Sequence, residues 1–221
     1  ADLEYKVNVE LLPMIELIDY GAGNLTSVRK ALSYLDAVFT TPEAPEDLNQ
    51  ATAIIVPGVG NFEATTALDG AWRQALTKAI ERGTPLLGIC LGLQWLFSGS
   101  DEAPDVPGFG AINGCCRLLE QEVEDTSVVG TYKVPHVGWN SLHRQRDSWI
   151  LEGINDGDQV YFTHSFAAPI TAECVGATRY GMDFASVVER DRLVGVQFHP
   201  EKSGDVGLRI LKNFLSRINT F

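Results

Sequence analysis

The chain has 221 residues, of which 45% are hydrophobic and 21% charged, as expected for a folded domain with a sizeable core. Its formal net charge of −12 argues against non-specific nucleic-acid binding and against an anionic membrane surface, because both attract basic proteins. No apolar run approaches the roughly 20 residues that a membrane-spanning helix needs. We therefore expect one large domain, for which a basic protein is a more compatible partner than a nucleic acid or a membrane.

The first residues and the cysteines indicate the cellular compartment in which the protein is expected to function. The first residues show no basic stretch followed by an apolar one, so we expect no secretory signal. The four cysteines form no C-x-x-C pair and no zinc-type spacing with histidine, which favours a reduced, cytoplasmic protein without a metal site. Residues 1–13 differ in pattern from those that follow. We assign them to a native extension or a cloning remnant, and the domain to residues 14–221.

The first half of the chain alternates short apolar runs with helical stripes. The predicted strands are 15–18, 38–41, 53–56 and 86–89, and the predicted helices are 25–35, two segments within 62–69 and 71–82, and 91–97. This βαβα order predicts a parallel sheet with helices on both faces.

The second half changes character from about residue 110. It contains several short strand-like runs, including 160–163 and 185–189, then a hairpin turn at 189–193 and a strand at 194–198. A final helix is predicted from about 205 to 218. We therefore expect an α/β three-layer sandwich, whose mostly parallel central sheet carries an antiparallel excursion in its second half.

A cysteine stands where the fourth predicted strand meets a helix. The run Gly88-Ile89-Cys90-Leu91-Gly92 has the form G-x-C-x-G, typical of a nucleophile elbow that exposes its side chain at the carboxyl end of a sheet. The adjacent helix start would favour the thiolate and would aim the Leu91 N–H at an oxyanion. The alternative is a small buried cysteine in a strand that contains glycine.

A histidine and a carboxylate follow the last predicted strand. His199 and Glu201 flank Pro200, which keeps this segment extended and places both side chains on the same side. His199 could then face Cys90 while Glu201 accepts a hydrogen bond from its other ring nitrogen, as a catalytic base and its orienting group do.

Three other histidines compete for a functional role. His143 lies in a polar stretch and is expected to be a solvated loop residue. His136 and His164 lie in mixed apolar segments, and each could line the site or belong to the core.

Residues 88–94 and 197–201 resemble the two signatures of the class I (triad) glutamine amidotransferases, and the resemblance covers essentially all of residues 14–221. Further stretches are similar to the imidazole glycerol phosphate synthase branch of that family: 18–25, 57–62, 135–140 and 163–166.

The resemblance implies a glutaminase that needs no metal or other cofactor. Cys90 would attack the side-chain amide of L-glutamine, and His199, oriented by Glu201, would give a proton to the departing ammonia. By the same resemblance Gln94 would help to hold the substrate. Ser165 and Phe166 would line the glutamine site, with Phe166 contributing its backbone more than its side chain.

The resemblance also assigns an oxyanion segment, Pro57-Gly58-Val59-Gly60. A backbone N–H of Gly58 or Val59 would complete the oxyanion hole together with that of Leu91. We expect this segment to act as a switch whose donor is misaimed until a partner and its ligand are bound. The alternative is a simple strand-to-helix turn.

The resemblance further implies a heterodimer with a separate (β/α)8-barrel cyclase or synthase subunit of histidine biosynthesis, to which ammonia is channelled. Three alternatives remain open at this point. They are another amidotransferase branch with a different acceptor, a stand-alone γ-glutamyl cysteine hydrolase, and a binding module without activity.

Overall fold

The computed structural model describes residues 14–120 and 132–218, so the predicted extension at 1–13 lies outside the described part of the chain. The first half contains β1 (Ile15–Leu17), α1 (Leu25–Tyr34), β2 (Phe39–Thr40), β3 (Ala53–Gly58), α2 (Ala71–Glu81), β4 (Leu86–Cys90), α3 (Leu91–Leu96) and β5 (Gly99–Ser100). The second half contains β6 (Cys115–Leu118), β7 (His136–Arg144), β8 (Asp158–His164), β9 (Phe166–Ala167), β10 (Cys174–Tyr180), β11 (Met182–Arg190), β12 (Leu193–Val196) and α4 (Gly204–Ser216). Short 3-10 helices are Pro45–Gln50, Phe62–Leu68 and Pro200–Lys202.

Nine of these strands form one central sheet, in the order β2-β1-β3-β4-β12-β11-β10-β7-β8. The first five strands of that order pair in parallel, and the remaining pairings are antiparallel. A small sheet of β5, β6 and β9 lies beside it. The predicted parallel sheet with an antiparallel excursion is confirmed.

The inner parallel strands β3, β4 and β12 are buried along their whole length, so the sheet is covered on both faces there, as continuous apolar strands require. Along β3, Ile55 packs in one apolar cluster with residues of α1 and α4. Its neighbours Ile54 and Val56 pack in a second cluster with residues of α2 and α3. Because successive side chains of a strand point to opposite faces, this division shows three layers and confirms the predicted fold class.

Some elements differ in length or type from those predicted, and the last strand ends at Val196 rather than at residue 198. The helical segment predicted within 62–69 is the 3-10 helix Phe62–Leu68, in which the Thr65 hydroxyl donates to the carbonyl of Phe62. Such side-chain bonds to the backbone compete with regular α-helix formation. Within the described ranges, no helix is long and apolar enough to cross a membrane.

The topology brings the two predicted motifs to one edge of the sheet. Cys90, the last residue of β4, pairs with Gly58 at the end of β3. On its other side, β4 pairs with β12, where Ile89 stands opposite Val196. The carboxyl ends of three parallel neighbours therefore meet at one place, which is where open α/β sheets bind ligands.

Candidate active site

Cys90 occupies a strained turn between β4 and α3. Its backbone has φ +55° and ψ −104°, a left-handed conformation that residues other than glycine rarely adopt. Strain of this kind persists only where the surroundings enforce it, and it is concentrated at functional sites. The turn brings the sulfur to the floor of a pocket and agrees with the predicted elbow.

The two glycines around Cys90 are required by close packing. A Cβ on Gly92 would overlap the carbonyl oxygen of Val56 in β3. A Cβ on Gly88 would meet the main chain of Gly92. Neither glycine has a positive φ, so the strain lies on Cys90 itself, while its neighbours allow α3 to start directly against β3.

His199 and Glu201 form a buried pair just after β12. His199 Nδ1 lies 2.7 Å from Glu201 Oε1, and the two side chains are only 3% and 2% exposed. The backbone of His199 is fixed from both sides, since its N–H donates to the carbonyl of Tyr161 and its carbonyl accepts from the Ser203 hydroxyl. A carboxylate only accepts, so this bond places the proton on Nδ1 and leaves Nε2 for the nucleophile.

The electrostatics of His199 favour its charged form. Burial alone lowers the pKa of His199, but its interactions with Cys90 and Glu201 outweigh burial and raise that pKa above its ordinary value. Among the described residues, Nε2 has no geometric hydrogen-bond partner, and the Cys90 side chain is among the groups that raise the pKa of the ring. A histidine in this state can take up a thiol proton, which would give a thiolate beside an imidazolium.

Cys90 opens into a pocket of about 280 Å³, a volume suited to a small metabolite. The pocket is lined by Gly60, Cys90, Leu91, Gln94, Glu102, Pro135, Thr163, His164, Ser165 and Phe166. Four of the residues predicted from the sequence therefore line the same pocket as Cys90: Leu91, Gln94, Ser165 and Phe166. Gly58 and Val59 are not among the residues that line it.

The segment after β3 is held away from the thiol. Gly58 is packed so closely that a Cβ there would overlap the Tyr20 hydroxyl and crowd Leu91. The Val59 N–H donates to the carbonyl of Ala22 at 3.4 Å, so it does not point toward Cys90. In this conformation the Val59 N–H is already bonded, so it could act as the predicted oxyanion donor only after its peptide turns.

Sequence reasoning missed two groups beside the thiol and one carboxylate residue that lines the pocket. Gln197 Nε2 lies 3.7 Å from Cys90 Sγ, and the carbonyl of Thr163 lies 3.8 Å from the same sulfur. Glu102 accepts a bond from the N–H of Phe62 at 2.8 Å and presents its carboxylate to the pocket. Gln197 belongs to the second motif and could have been nominated. Glu102 follows a two-residue strand and gives no local signal.

Of the remaining histidines, His143 is solvent-exposed as predicted, but it lies in strand β7, opposite Ala177 of β10, and not in a loop. His143 is half-exposed and pairs with Asp156 at 3.4 Å. His136 and His164 are both buried, and His164 lines the pocket wall. Among the residues described, no group of three or more His, Cys, Asp or Glu side chains is arranged to hold a metal ion.

A cysteine in a strained turn at the carboxyl end of a central strand, near a buried histidine–glutamate pair, is the arrangement found in cysteine-dependent acyl-transfer enzymes. The model of the class-I glutamine amidotransferase family matches residues 16–218, and the chain belongs to that family. Imidazole glycerol phosphate synthase subunit HisH of Bacillus cereus (strain B4264) is 40% identical over 204 residues, covering 91% of this chain and 93% of the relative. The Methanocaldococcus jannaschii subunit of the same name is 40% identical over 203 residues, covering 91% of this chain and 98% of its own.

A solved structure described as a glutamine amidotransferase superimposes with a TM-score of 0.70. It covers 93% of this chain and 99% of its own at 18% identity, which shows a shared fold. The predicted family, and within it the similarity to the imidazole glycerol phosphate synthase branch, are confirmed by these comparisons.

Proposed function

We propose that the chain is the glutaminase subunit of an imidazole glycerol phosphate synthase, acting in histidine biosynthesis in the cytoplasm. It hydrolyses L-glutamine to glutamate and ammonia and passes the ammonia to a synthase subunit, whose lyase-type step completes the reaction. The observation that carries the proposal is the strained Cys90 at the pocket floor beside the buried His199–Glu201 pair. The relatives at 40% identity support the choice of the imidazole glycerol phosphate synthase branch of the family. The four free cysteines agree with a reducing compartment.

The first half of the reaction forms a thioester. His199 Nε2 takes the thiol proton, and Cys90 Sγ attacks the δ-carbon of glutamine. The negative charge that develops on the amide oxygen is stabilised by the N–H of Leu91 at the start of α3. The carbon–nitrogen bond then breaks, and the leaving nitrogen takes the proton from His199 and departs as ammonia.

The second half releases glutamate. Water gives a proton to His199 and attacks the thioester carbon, and the carbon–sulfur bond breaks to free glutamate and the Cys90 thiolate. Glu201 holds the ring of His199 throughout, because the 2.7 Å bond fixes the tautomer and stabilises the imidazolium. A second oxyanion donor from Gly58 or Val59 becomes available when the peptide that now bonds Ala22 turns toward the pocket.

Substrate recognition follows from the polar groups of the pocket. Both hydrogens of Gln94 Nε2 are used, one by the carbonyl of Phe166 at 2.7 Å and one by Gln197 Oε1 at 3.2 Å. That leaves Gln94 Oε1 as an acceptor for a substrate N–H. The carboxylate of Glu102 suits the α-ammonium of glutamine, and Ser165 supplies a further polar wall.

The partner surface lies beside the pocket mouth. Pro135 lines the pocket, and the next strand residues that point outward, Val137 and Trp139, are 57% and 56% exposed. Trp139 packs against Tyr161, over whose ring Lys202 Nζ lies at 5.9 Å. Large exposed apolar side chains next to a site indicate a protein interface, and we place a (β/α)8-barrel synthase subunit there, in a heterodimer.

The experiment measures glutamine hydrolysis and product synthesis with purified synthase subunit. Cys90→Ala is expected to abolish glutamine-dependent turnover and to preserve synthesis from added ammonium salt, whereas Cys174→Ala, which does not line the pocket, leaves both unchanged. Loss of both activities in Cys90→Ala would contradict the proposal. High hydrolysis without any partner, extending to larger γ-glutamyl substrates, would favour a stand-alone hydrolase instead.

A further inference from the structure

A chain of hydrogen bonds runs through the two buried histidines toward the active site. His164 Nδ1 lies 2.9 Å from the carbonyl of Phe166, and His164 Nε2 lies 3.1 Å from His136 Nδ1. At the far end, His136 Nε2 lies 3.3 Å from Asn140 Nδ2. The chain therefore begins on β7, where Asn140 stands next to the exposed Trp139, and ends on the pocket wall.

The partners at the two ends allow only one direction for this chain. A carbonyl only accepts, so His164 carries its proton on Nδ1 and its Nε2 is an acceptor. His136 must then donate from Nδ1, which leaves its own Nε2 to accept from the Asn140 amide. The amide orientation of Asn140 is fixed independently, because its Oδ1 accepts from the Ser141 N–H and its Nδ2 also donates to the carbonyl of Arg179.

This arrangement requires both rings to be neutral. A proton added to His164 Nε2 would face the donor of His136, and a proton added to His136 Nε2 would face the amide donor of Asn140. Burial lowers the pKa of His136 to about 4 and, with smaller contributions from the neighbouring histidines, that of His164 to about 3. The neutral chain is therefore intact at physiological pH.

Further hydrogen bonds connect the Phe166 carbonyl to the nucleophile. The Phe166 carbonyl accepts from His164 on one side and from Gln94 Nε2 on the other. Gln94 also donates to Gln197 Oε1, and this fixes the Gln197 amide with its Nε2 toward Cys90 Sγ at 3.7 Å. The orientation of the amide that faces the thiol therefore depends on a carbonyl held by the His164–His136 pair.

We propose that His136 and His164 are positioning residues for the glutaminase reaction: their single-direction chain orients the Phe166 carbonyl, and through it the side chains of Gln94 and Gln197 around the Cys90 thiol. The inference rests on the proposed function for its kinetic consequence, whereas the direction of the chain rests on geometry alone.

Two substitutions of His136 separate positioning from packing. The ring of His136 stacks on Tyr180 at 3.9 Å and on Phe162 at 4.8 Å between centroids. His136→Phe keeps an aromatic ring for these contacts but removes the donor to His164. His136→Asn loses the stack but places an amide N–H near the former Nδ1 position. If His136 served only packing, the Phe variant would be the more active of the two.

Positioning predicts the reverse order. With the synthase subunit present, we expect His136→Phe to lose at least about tenfold in kcat for glutamine hydrolysis, because one buried acceptor is left unpaired. We expect His136→Asn to stay within about threefold of the unmodified protein, and His143→Asn, on the exposed face of the same strand, to be unchanged. A Phe variant more active than the Asn variant would overturn the proposal.

The direction of the hydrogen bonds through His136 and His164 is measured separately, on the unmodified protein in complex with the synthase subunit. Nitrogen-15 spectra of the imidazole rings are expected to show the Nδ1–H tautomer at both His136 and His164. An Nε2–H or a charged ring at His164 would overturn the inference even if both variants failed to fold. An inactive unmodified complex with the expected tautomers would instead contradict the proposed function and leave the chain of bonds standing.

Discussion

The carboxylate of Glu201 can be tested by removing its charge while keeping its size. In Glu201→Gln, the side chain still fills a space that is 2% exposed and lies 2.7 Å from His199 Nδ1. The new amide can turn its N–H toward Nδ1, which would leave the histidine proton on Nε2. That tautomer cannot accept the proton of the Cys90 thiol.

The size of the effect follows from what the pair contributes. A hydrogen bond to a charged group contributes about 1.5–3 kcal/mol, and loss of the correct histidine tautomer in serine triads lowers kcat by about 10⁴. We therefore expect Glu201→Gln to lower kcat for glutamine hydrolysis by about 10²–10⁴. KM should change little, because Glu201 does not line the pocket.

The pH profile supplies a second readout. The Glu201 charge is among the interactions that raise the pKa of His199, so its removal lowers that pKa and makes the imidazolium lose its proton at a lower pH. The alkaline limb of kcat/KM should then shift to lower pH. Glutamate release by the complex is the assay, and Glu81→Gln, at the exposed end of α2, is the matched control. An unchanged kcat, or an alkaline limb that does not move, would refute the assigned role.

Two further predictions concern the framework of the site. In Gly92→Ala the new Cβ meets a carbonyl of β3, which should cost about 1–3 kcal/mol and lower Tm by several degrees in a thermal melt. Gly99→Ala, whose Cβ would have its nearest neighbour at 3.6 Å, should melt like the unmodified protein, and equal melting of the two variants would contradict the packing argument. Burial lowers the pKa of His164 to about 3, so below about pH 6.5 the unfolded chain binds a proton that the folded chain does not, and stability falls as pH falls. The free energy of unfolding of His164→Phe should therefore fall less steeply with decreasing pH than that of the unmodified protein, and the two slopes should differ by about 1.4 kcal/mol per pH unit. Equal slopes would show that His164 is already charged in the folded protein.

The fold could be predicted where local pattern and tertiary environment agree. Strands such as β4 are continuous apolar runs because both faces of the sheet are covered, and the helical stripe of α1 matches the face it buries. Cys90 could be located because a turn between strand and helix needs small neighbours. The glycines at positions 88 and 92 meet this requirement and are visible in the sequence.

The sequence did not predict those features of the site that depend on contacts between residues far apart in the chain. The direction of the Val59 N–H depends on the carbonyl of Ala22, which no sequence pattern near residue 59 reveals. The contact between Gln94 and Gln197 joins residues 103 positions apart, and the carbonyl of Phe166 that links Gln94 to His164 carries no residue-type signal. Main-chain acceptors and long-range amide bonds are properties of the folded state, so the residue types alone do not predict them.

The central claim, that Cys90 forms a covalent intermediate with glutamine, is tested most directly by trapping that intermediate. The complex with the synthase subunit is mixed with L-glutamine, quenched in acid within the first turnover, digested and examined by mass spectrometry. We expect the peptide that contains Cys90 to gain the mass of one γ-glutamyl group, and we expect Glu201→Gln to slow its appearance. A γ-glutamyl group on another residue, or steady turnover with Cys90 replaced by alanine, would contradict the account.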